Sequence, residues 1–297
     1  MSNMILLPLA GNETFATSLV EPLDARLGQV EARHFPDGES YLRIVSELGG
    51  RDVAVVCTLA RPDEKILPLL FAAATARELG ARKVGLIAPY LAYMRQDRRF
   101  KPGEAISSRP FAAIVSAHFD WLVTVDPHLH RYGSLAEIYS IPTRVAHAAS
   151  AISAWIKLNV ESPVIVGPDR ESEQWVAEVA SEAGAPFIVL EKSRAGDRDV
   201  TVRTADLAQW PMRTPVLVDD IVSSGGTMIE AVRMLRSIGA LPPVCVAVHG
   251  LFADQVDRKL ERIGVRVVTT NAVPHWTNLI DVSELVAAAT IQIRPTV

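Results

Sequence analysis

Cysteine, unbroken hydrophobic stretches and surplus charge are all scarce in this chain of 297 residues, and each scarcity excludes a class of protein. Cys57 and Cys245 are the two cysteines, each within an apolar run, so neither a disulfide framework nor a cysteine metal cluster is expected. The formal net charge is −4, and lysine and arginine are spread along the chain, which argues against nucleic-acid binding. Free thiols in apolar runs are typical of a reducing compartment, so we predict a cytoplasmic protein.

The longest apolar stretch, residues 84–94, is too short to span a bilayer and is interrupted by Pro89. Residues 1–10 lack the cationic lead of a signal peptide and include Pro8. We therefore predict no membrane partner. With 49% hydrophobic and 22% charged residues, the composition is that of a globular protein long enough for two domains.

Short β-branched runs alternate with amphipathic helical patterns along the chain, which is typical of parallel sheets with helices on both faces. We predict an α/β fold of two tandem open domains with mostly parallel strands. Strands are predicted at residues 4–7, 30–34, 53–57, 83–88, 122–126, 164–167, 187–190, 216–219, 244–249 and 265–269. Helices are predicted at residues 65–79, 107–117, 146–158, 171–183 and 228–238. The glycines expected to end helical patterns are Gly80, Gly184, Gly239 and Gly264.

The two halves follow a similar plan, because a central helical pattern ends in Leu-Gly-Ala at residues 79–81 and in Ile-Gly-Ala at residues 238–240. Pro142 interrupts the patterns on both sides, which predicts a boundary near residues 140–143. The predicted domains are residues 1–143 and 144–297. The last ~15 residues are expected to pack back on the first domain.

Residues 216–235 are the most informative segment of the chain. A buried β-branched run ends in Asp219 and Asp220 and is followed by a Ser/Gly-rich loop and an amphipathic helix. Glycine lets the backbone approach an anion closely, and the first amides of a helix donate to phosphate oxygens. The predicted phosphate cradle consists of Ser223, Ser224, Gly225, Gly226 and Thr227.

Asp219 and Asp220 would repel a phosphate, but they suit sugar hydroxyls beside it or a Mg²⁺ ion that bridges to them. A ligand with both a phosphate and a vicinal diol, such as ribose 5-phosphate, fits this combination. The simpler interpretation is a strand followed by a helix that has Thr227 as its N-cap. This interpretation leaves both carboxylates unexplained, so the ligand site is favoured.

Two segments of the first half contain clustered polar groups. Residues 35–39, Phe-Pro-Asp-Gly-Glu, are predicted to form a tight turn that presents Asp37 and Glu39 outward, as an ordinary surface turn also would. Residues 93–100 follow a predicted strand at its carboxyl end, where ligands bind in open α/β sheets. Their three arginines, with Gln96 and Asp97, suit a polyphosphate and an adenine edge, or else form a solvated charge cluster.

Three further strand ends are polar or charged. His128 and His130 lie two residues apart and project to the same side of extended backbone, either toward a metal or phosphate or as incidental loop residues. Asp169 follows another strand at a position suited to a magnesium ligand. Residues 191–198 are a charged, glycine-containing segment that is either a lid over a reacting phosphoryl group or an exposed loop.

The loop at residues 219–227 resembles the phosphoribosyl-pyrophosphate binding signature that phosphoribosyltransferases and ribose-phosphate pyrophosphokinases share. Along nearly the whole chain the motifs resemble the ribose-phosphate pyrophosphokinase family, since phosphoribosyltransferases lack an N-terminal half of this kind. The matching segments are residues 35–39, 95–100, 126–128, 167–169, 191–198, 218–228 and 269–275. The resemblance implies two domains of phosphoribosyltransferase type.

The resemblance also implies a reaction, in which Mg-ATP and ribose 5-phosphate give 5-phosphoribosyl 1-diphosphate and AMP. The residues that match the family's ATP-binding positions are Phe35, Asp37, Glu39, Arg95, Gln96 and Asp97. In the family the first three reach the adenine, often from a neighbouring subunit of a homo-oligomer. The residues that match positions near Mg²⁺ are His128 and Asp169, and those that stabilise the diphosphoryl group in transfer are Lys192 and Arg194.

Two departures separate this chain from the common bacterial and mammalian enzymes. After the Asp-x-His motif those enzymes have Ala-x-Gln-Ile-Gln-Gly-Phe-Phe, whereas residues 129–134 here are Leu-His-Arg-Tyr-Gly-Ser. After Asp169 a glycine pair is usual, whereas residues 170–172 are Arg-Glu-Ser. These features look closer to the archaeal-type branch, which implies a different response to phosphate and ADP.

Three alternatives compete with this interpretation. A phosphoribosyltransferase would use the same loop, but the ATP-type motifs of the first half count against it. A non-catalytic subunit, as in pyrophosphokinase-associated proteins, is disfavoured because Lys192, Arg194 and His128 are present. A related phosphorylated ribose stays open as the substrate.

Overall fold

The computed structural model describes residues 3–129, 131–190 and 212–293, and it divides the chain into two compact units. The first unit comprises the chain up to His147, Ala272–Pro274 and the segment from Val282 onward. The second comprises Ala148–Asn271 and His275–Asp281. Each unit is built around one six-stranded sheet.

The sheet of the first unit is parallel throughout, and its central strands are buried because helices cover both faces. Its strands are β1 (Met4–Pro8), β2 (Ala25–Leu27), β5 (Asp52–Val56), β6 (Lys83–Ala88), β7 (Trp121–Val125) and β8 (Thr143–Ala146). A separate antiparallel hairpin consists of β3 (Val30–His34) and β4 (Ser40–Ile44). The helices are α1 (Glu13–Ser18), α2 (Asp63–Glu78), α3 (Ser108–His118) and, at the end of the described chain, α8 (Ser283–Ile293).

The sheet of the second unit is also parallel. Its strands are β9 (Pro163–Gly167), β10 (Phe187–Val189), β11 (Thr214–Val222), β12 (Val244–Gly250), β13 (Arg266–Thr270) and β14 (Asn278–Ile280). Its helices are α4 (Ala149–Asn159), α5 (Glu173–Ala183), α6 (Gly226–Ser237) and α7 (Val256–Arg262). Among the helices described in both units, none is long and apolar enough to cross a membrane.

The two sheets have the same strand order. It is β2-β1-β5-β6-β7-β8 in the first unit and β10-β9-β11-β12-β13-β14 in the second. In both sheets the first strand has the second strand on one side and a later strand on the other. The order in which the chain adds strands therefore reverses between β1 and β5 and between β9 and β11. Ligands of open α/β sheets bind outside the carboxyl ends of the strands at such a point. The topology therefore predicts a ligand site of the second unit at the carboxyl ends of β9 and β11.

The predicted α/β class, with parallel sheets and helices, is confirmed. The glycines predicted to end helices all have positive φ, from 66° at Gly184 to 84° at Gly80. The predicted strand at residues 30–34 belongs to the hairpin and not to the main sheet. The short strands β2, β4, β8 and β14 escaped prediction, because three to five residues carry little periodicity.

Candidate functional site

The sugar-phosphate loop, residues 219–227, begins inside β11. The predicted strand ended at Asp219, but β11 continues to Val222 because it stays paired with β12 up to that residue. Residues 216–218 are fully buried, whereas Asp219 and Asp220 are partly exposed. The two carboxylates therefore lie on a hydrogen-bonded strand at the ligand edge of the sheet.

The backbone passes from β11 into α6 at Gly225, which has a φ of 68° and is the N-cap of the helix. A Cβ atom there would lie 2.0 Å from Val256 Cγ2, so this position requires glycine. A Cβ at Gly226 would instead meet no described atom within 4 Å beyond its chain neighbours and helix backbone. Thr227 is not the N-cap, and no described side chain caps α6. The first amides of the helix are thus available to an anion.

Three carboxylates gather where the second sheet reverses its strand order. Asp169 follows β9, while Asp219 and Asp220 lie on the neighbouring β11. Burial and the nearby carboxylates of Asp220 and Asp169 raise the pKa of Asp219 well above its ordinary value. The Ser172 amide donates to Asp169 Oδ1 at 3.2 Å and orients this side chain. Repulsion within such a cluster favours the binding of a cation.

Mg²⁺ fits this set of donors, because carboxylate oxygens are its preferred protein ligands. In the part of the chain that the structure describes, no three His, Cys, Asp or Glu side chains are arranged to hold a metal ion by themselves. Mg²⁺ commonly binds through one or two carboxylates together with substrate phosphates and water. One or two of the carboxylates of Asp169, Asp219 and Asp220 are therefore suited to hold it together with a phosphate ligand.

A cluster of side chains lies beside the sugar-phosphate loop, and of these residues only His275 belongs to a segment that the sequence matched to the family. The Ala253 amide donates to the Ser223 carbonyl at 3.0 Å. The adjacent Phe252 packs on His275, with ring centroids 4.5 Å apart. Nε2 of His275 lies 3.6 Å from the buried Asp257 carboxylate, and burial lowers the pKa of His275. The β12–α7 connection is thus hydrogen-bonded to the loop through its backbone, and His275, from the segment after β13, packs on that connection.

In the first unit, residues 35–39 form the predicted tight turn between β3 and β4. Gly38 has a φ of 92°, and its amide donates to the Phe35 carbonyl at 2.9 Å. Asp37 and Glu39 are exposed. Phe35 is 39% exposed, so part of its ring is accessible to a ligand or partner.

The Phe35 ring is held by two residues that were not predicted. The guanidinium carbon of Arg33 lies 4.6 Å from the centroid of Phe35 and 4.3 Å from that of Tyr41. The two rings meet edge to face at 5.9 Å. Arg33 and Tyr41 are directly paired across the hairpin, and this pairing depends on the register of β3 and β4.

The nucleotide segment, residues 93–100, follows β6 at the carboxyl edge of the first sheet. Arg95 is exposed, and Gln96 accepts a hydrogen bond from Ser107 Oγ at 3.0 Å. The Asp97 side chain, in contrast, is 2% exposed and pairs with Arg131. Direct ATP contacts stay a prediction for Arg95, Gln96 and Asp97, and the Asp97 carboxylate is already paired with Arg131 within the fold.

Asp126 and His128 follow β7 at the same edge. Asp126 has a φ of 29°, and its Oδ1 lies 2.9 Å from Nδ1 of His147. His128 is partly buried. A metal contact through His128 stays a prediction.

His130 and the predicted catalytic residues Lys192 and Arg194 lie outside the described residues. The whole charged segment at residues 191–198 falls between the described ranges. The roles predicted for these residues rest on the sequence.

Comparison with known proteins covers both units. The family model for the N-terminal domain of ribose phosphate pyrophosphokinase matches residues 4–118, and that for the phosphoribosyl transferase domain matches residues 134–284. A ribose-phosphate pyrophosphokinase of Methanopyrus kandleri is 38% identical over 290 residues, covering 96% of this chain and 98% of the relative. That of Saccharolobus solfataricus is 35% identical over 293 residues, covering 96% and 99%. The crystal structure of phosphoribosylpyrophosphate synthetase from Mycobacterium smegmatis matches with a TM-score of 0.84 at 26% identity, over 98% of both chains.

The fold and the sugar-phosphate loop define a protein with two α/β units, the second matching the phosphoribosyl transferase domain. The chain is similar to ribose-phosphate pyrophosphokinases over nearly its full length. It belongs to that family and is an enzyme of that type. These two relatives are archaeal, in agreement with the resemblance to the archaeal-type branch. A phosphoribosyltransferase and a non-catalytic subunit are both disfavoured, because the similarity includes the N-terminal half and the relatives are named as the enzyme.

Proposed function

We propose that this chain transfers the β,γ-diphosphoryl group of Mg-ATP to the 1-hydroxyl of ribose 5-phosphate, giving 5-phosphoribosyl 1-diphosphate and AMP. The observation that carries this proposal is the juxtaposition in the second unit of a phosphate-accepting helix start with three carboxylates. An anion-binding loop alone would fit many phosphorylated ligands. The carboxylates of Asp169, Asp219 and Asp220 add the features that a sugar diol and a magnesium ion require.

In the proposed complex the 5-phosphate lies against residues 223–227. The amides at the start of α6 and the hydroxyls of Ser223, Ser224 and Thr227 donate to its oxygens. Asp219 and Asp220 accept hydrogen bonds from the sugar hydroxyls or hold Mg²⁺ beside them. Because β11 is paired with β12 at Asp219 and again after Asp220, at Ile221 and Val222, the sugar is proposed to be oriented by a rigid element.

ATP is proposed to bind through Arg95 and Gln96 of the nucleotide segment and through Phe35, Asp37 and Glu39 of the hairpin. The oxygen of the 1-hydroxyl then bonds to the β-phosphorus, the bond from that phosphorus to AMP breaks, and the hydroxyl proton is released. When bound, Mg²⁺ would supply charge neutralisation on the phosphates, and Asp169 of the second unit and His128 of the first are each proposed as residues near it. Positioning and charge account for most of the catalysis in phosphoryl transfer.

Lys192 and Arg194 are proposed to stabilise the diphosphoryl group while it moves. They lie two residues apart, so they project together from an extended segment. Cationic groups that meet the phosphoryl oxygens mainly in the transition state raise kcat more than they improve affinity.

The ATP site is proposed to be shared between subunits of a homo-oligomer, as the exposure of the hairpin supports. Residues 31–39 are exposed along their whole length, and they include the exposed ring of Phe35. If the hairpin serves a neighbouring subunit, co-expressed Phe35→Ala and Asp220→Ala chains should recover activity, because some sites then contain neither defect. Asp219→Ala co-expressed with Asp220→Ala is the matched control, since both defects lie in one loop. No recovery in the first mixture would contradict sharing.

The reaction itself is tested by following nucleotide products. The purified protein should form AMP from ATP only when ribose 5-phosphate and Mg²⁺ are both supplied, with no nucleobase present. ADP as the stoichiometric product would indicate a simple kinase and exclude the proposal. The proposed location is the cytoplasm, in keeping with two buried free thiols.

A further inference from the structure

Asp97 anchors the nucleotide segment to the first unit through an ion pair. Nη1 of Arg131 donates to both carboxylate oxygens of Asp97, at 2.8 Å to Oδ1 and 3.0 Å to Oδ2. The Asp97 side chain is 2% exposed, and that of Arg131 is 39% exposed. A carboxylate this buried is unfavourable without a cationic partner. Arg131 therefore determines whether Asp97 can occupy its place.

Tyr132 holds the backbone of the same segment. Its hydroxyl donates to the Asp97 carbonyl at 3.3 Å and lies 3.2 Å from Oγ of Ser108, the first residue of α3. Ser108 Oγ is also 3.3 Å from the Gln96 carbonyl, to which it donates. The carbonyls of two consecutive residues are thus tied to Tyr132 and to the start of a helix.

We propose that Arg131 and Tyr132 are positioning residues for ATP. By holding residues 96 and 97 they orient Arg95 and Gln96 before the nucleotide arrives, so that less conformational freedom is lost on binding. This inference rests on the proposed function, in which Arg95 and Gln96 contact ATP. Asp97 then serves as the anchor of the segment and not as a direct ligand.

Arg131→Ala tests this role. The KM for ATP should rise by about tenfold or more, because the segment must be ordered at each binding event. The KM for ribose 5-phosphate and kcat should change by less than about twofold, since neither depends on whether the nucleotide segment is ordered before ATP binds. Arg131→Lys should recover most of the ATP affinity, because one ammonium group can meet both carboxylate oxygens. Added guanidinium ion should partly rescue Arg131→Ala, since the arginine side chain is accessible from solvent.

Arg82→Ala is the matched control. Arg82 pairs with the buried Asp52 through two hydrogen bonds of 2.8 and 2.7 Å. Asp52 is the first residue of β5 and so lies at the amino edge of the same sheet, away from the nucleotide segment. Arg82→Ala should lower Tm without changing the KM for ATP. Added guanidinium ion should not change the KM for ATP of this variant.

Tyr132→Phe keeps the ring and removes the hydroxyl, so it tests the inference even if Arg131→Ala fails to fold. We expect its KM for ATP to rise about two- to fivefold. An unchanged KM for ATP in both variants, or equal changes for ATP and ribose 5-phosphate, overturns the inference.

Calorimetric titration with ATP alone separates this inference from the proposed function. A wild-type protein that binds ATP but forms no AMP contradicts the proposed function. Equal ATP affinities of the wild type and Arg131→Ala contradict the positioning role. A wild-type protein that does not bind ATP contradicts both.

Discussion

At the scale of single residues, the adjacent glycines of the sugar-phosphate loop meet different constraints. Gly225 combines a positive φ with close contact to Val256, whereas Gly226 begins a helix and faces open space. The first glycine is needed by the fold. The second is needed, in the proposed complex, by the phosphate that approaches the backbone.

Gly225→Ala and Gly226→Ala should therefore fail in different assays. Gly225→Ala should lower the free energy of unfolding by about 1–2 kcal/mol from the left-handed backbone alone, and further through the clash with Val256. Gly226→Ala should keep a near-native Tm but bind ribose 5-phosphate more weakly, because its methyl group occupies space next to the phosphate. Thermal unfolding and calorimetric titration of both variants measure this, and identical behaviour of the two would contradict it.

Asp220 is predicted to act on the sugar and not on the nucleotide. Asp220→Ala should weaken ribose 5-phosphate binding by about 1.5–3 kcal/mol, the usual contribution of a charge-assisted hydrogen bond. ATP affinity should stay nearly unchanged. Asp220→Asn keeps an acceptor oxygen, so a smaller loss in this variant would indicate a hydroxyl contact and an equal loss a magnesium contact. The opposite pattern of affinities would place the loop in the nucleotide site.

The two thiols should be unreactive in the folded protein. Burial raises the pKa of Cys57 and of Cys245 to about 12, so both stay protonated at neutral pH. A thiol reagent should modify neither in the native state and both after denaturation. Above pH 9.0, the ordinary thiol pKa, the unfolded chain binds fewer protons than the folded one. The thiols' contribution to stability should therefore fall as pH rises further. Rapid native modification would show that one thiol is accessible.

At the scale of elements, the charged segment at residues 191–198 is predicted to act on the chemical step. Replacing Lys192 and Arg194 together by alanine should lower kcat by orders of magnitude with little change in either KM, because interactions made in the transition state alter kcat. Steady-state kinetics of the double variant decide this. Near-normal turnover with raised KM would make the segment a binding element.

At the scale of the whole molecule, this enzyme is predicted to differ in regulation from the common branch. The departing residues at 129–134 and 170–172 include Arg131, which holds the nucleotide segment, and Ser172, which orients Asp169. Changes at these contacts alter the surroundings of both proposed ligand sites. We expect activity without inorganic phosphate, assayed in a phosphate-free buffer with and without added phosphate. Complete dependence on phosphate would contradict the assignment to the archaeal-type branch.

The sequence by itself determined the α/β class, the helix-ending glycines, the tight turn at residues 35–39 and the family. Each of these features depends on short stretches of sequence, because periodicity and turn chemistry act between near neighbours. Only the tertiary structure revealed that Asp97 pairs with Arg131, which is 34 residues away, and that Val256 restricts Gly225. It also revealed that burial and two nearby carboxylates, Asp220 on β11 and Asp169 after β9, raise the pKa of Asp219. Such contacts depend on strand order and register, which bring distant residues together and which no local pattern encodes.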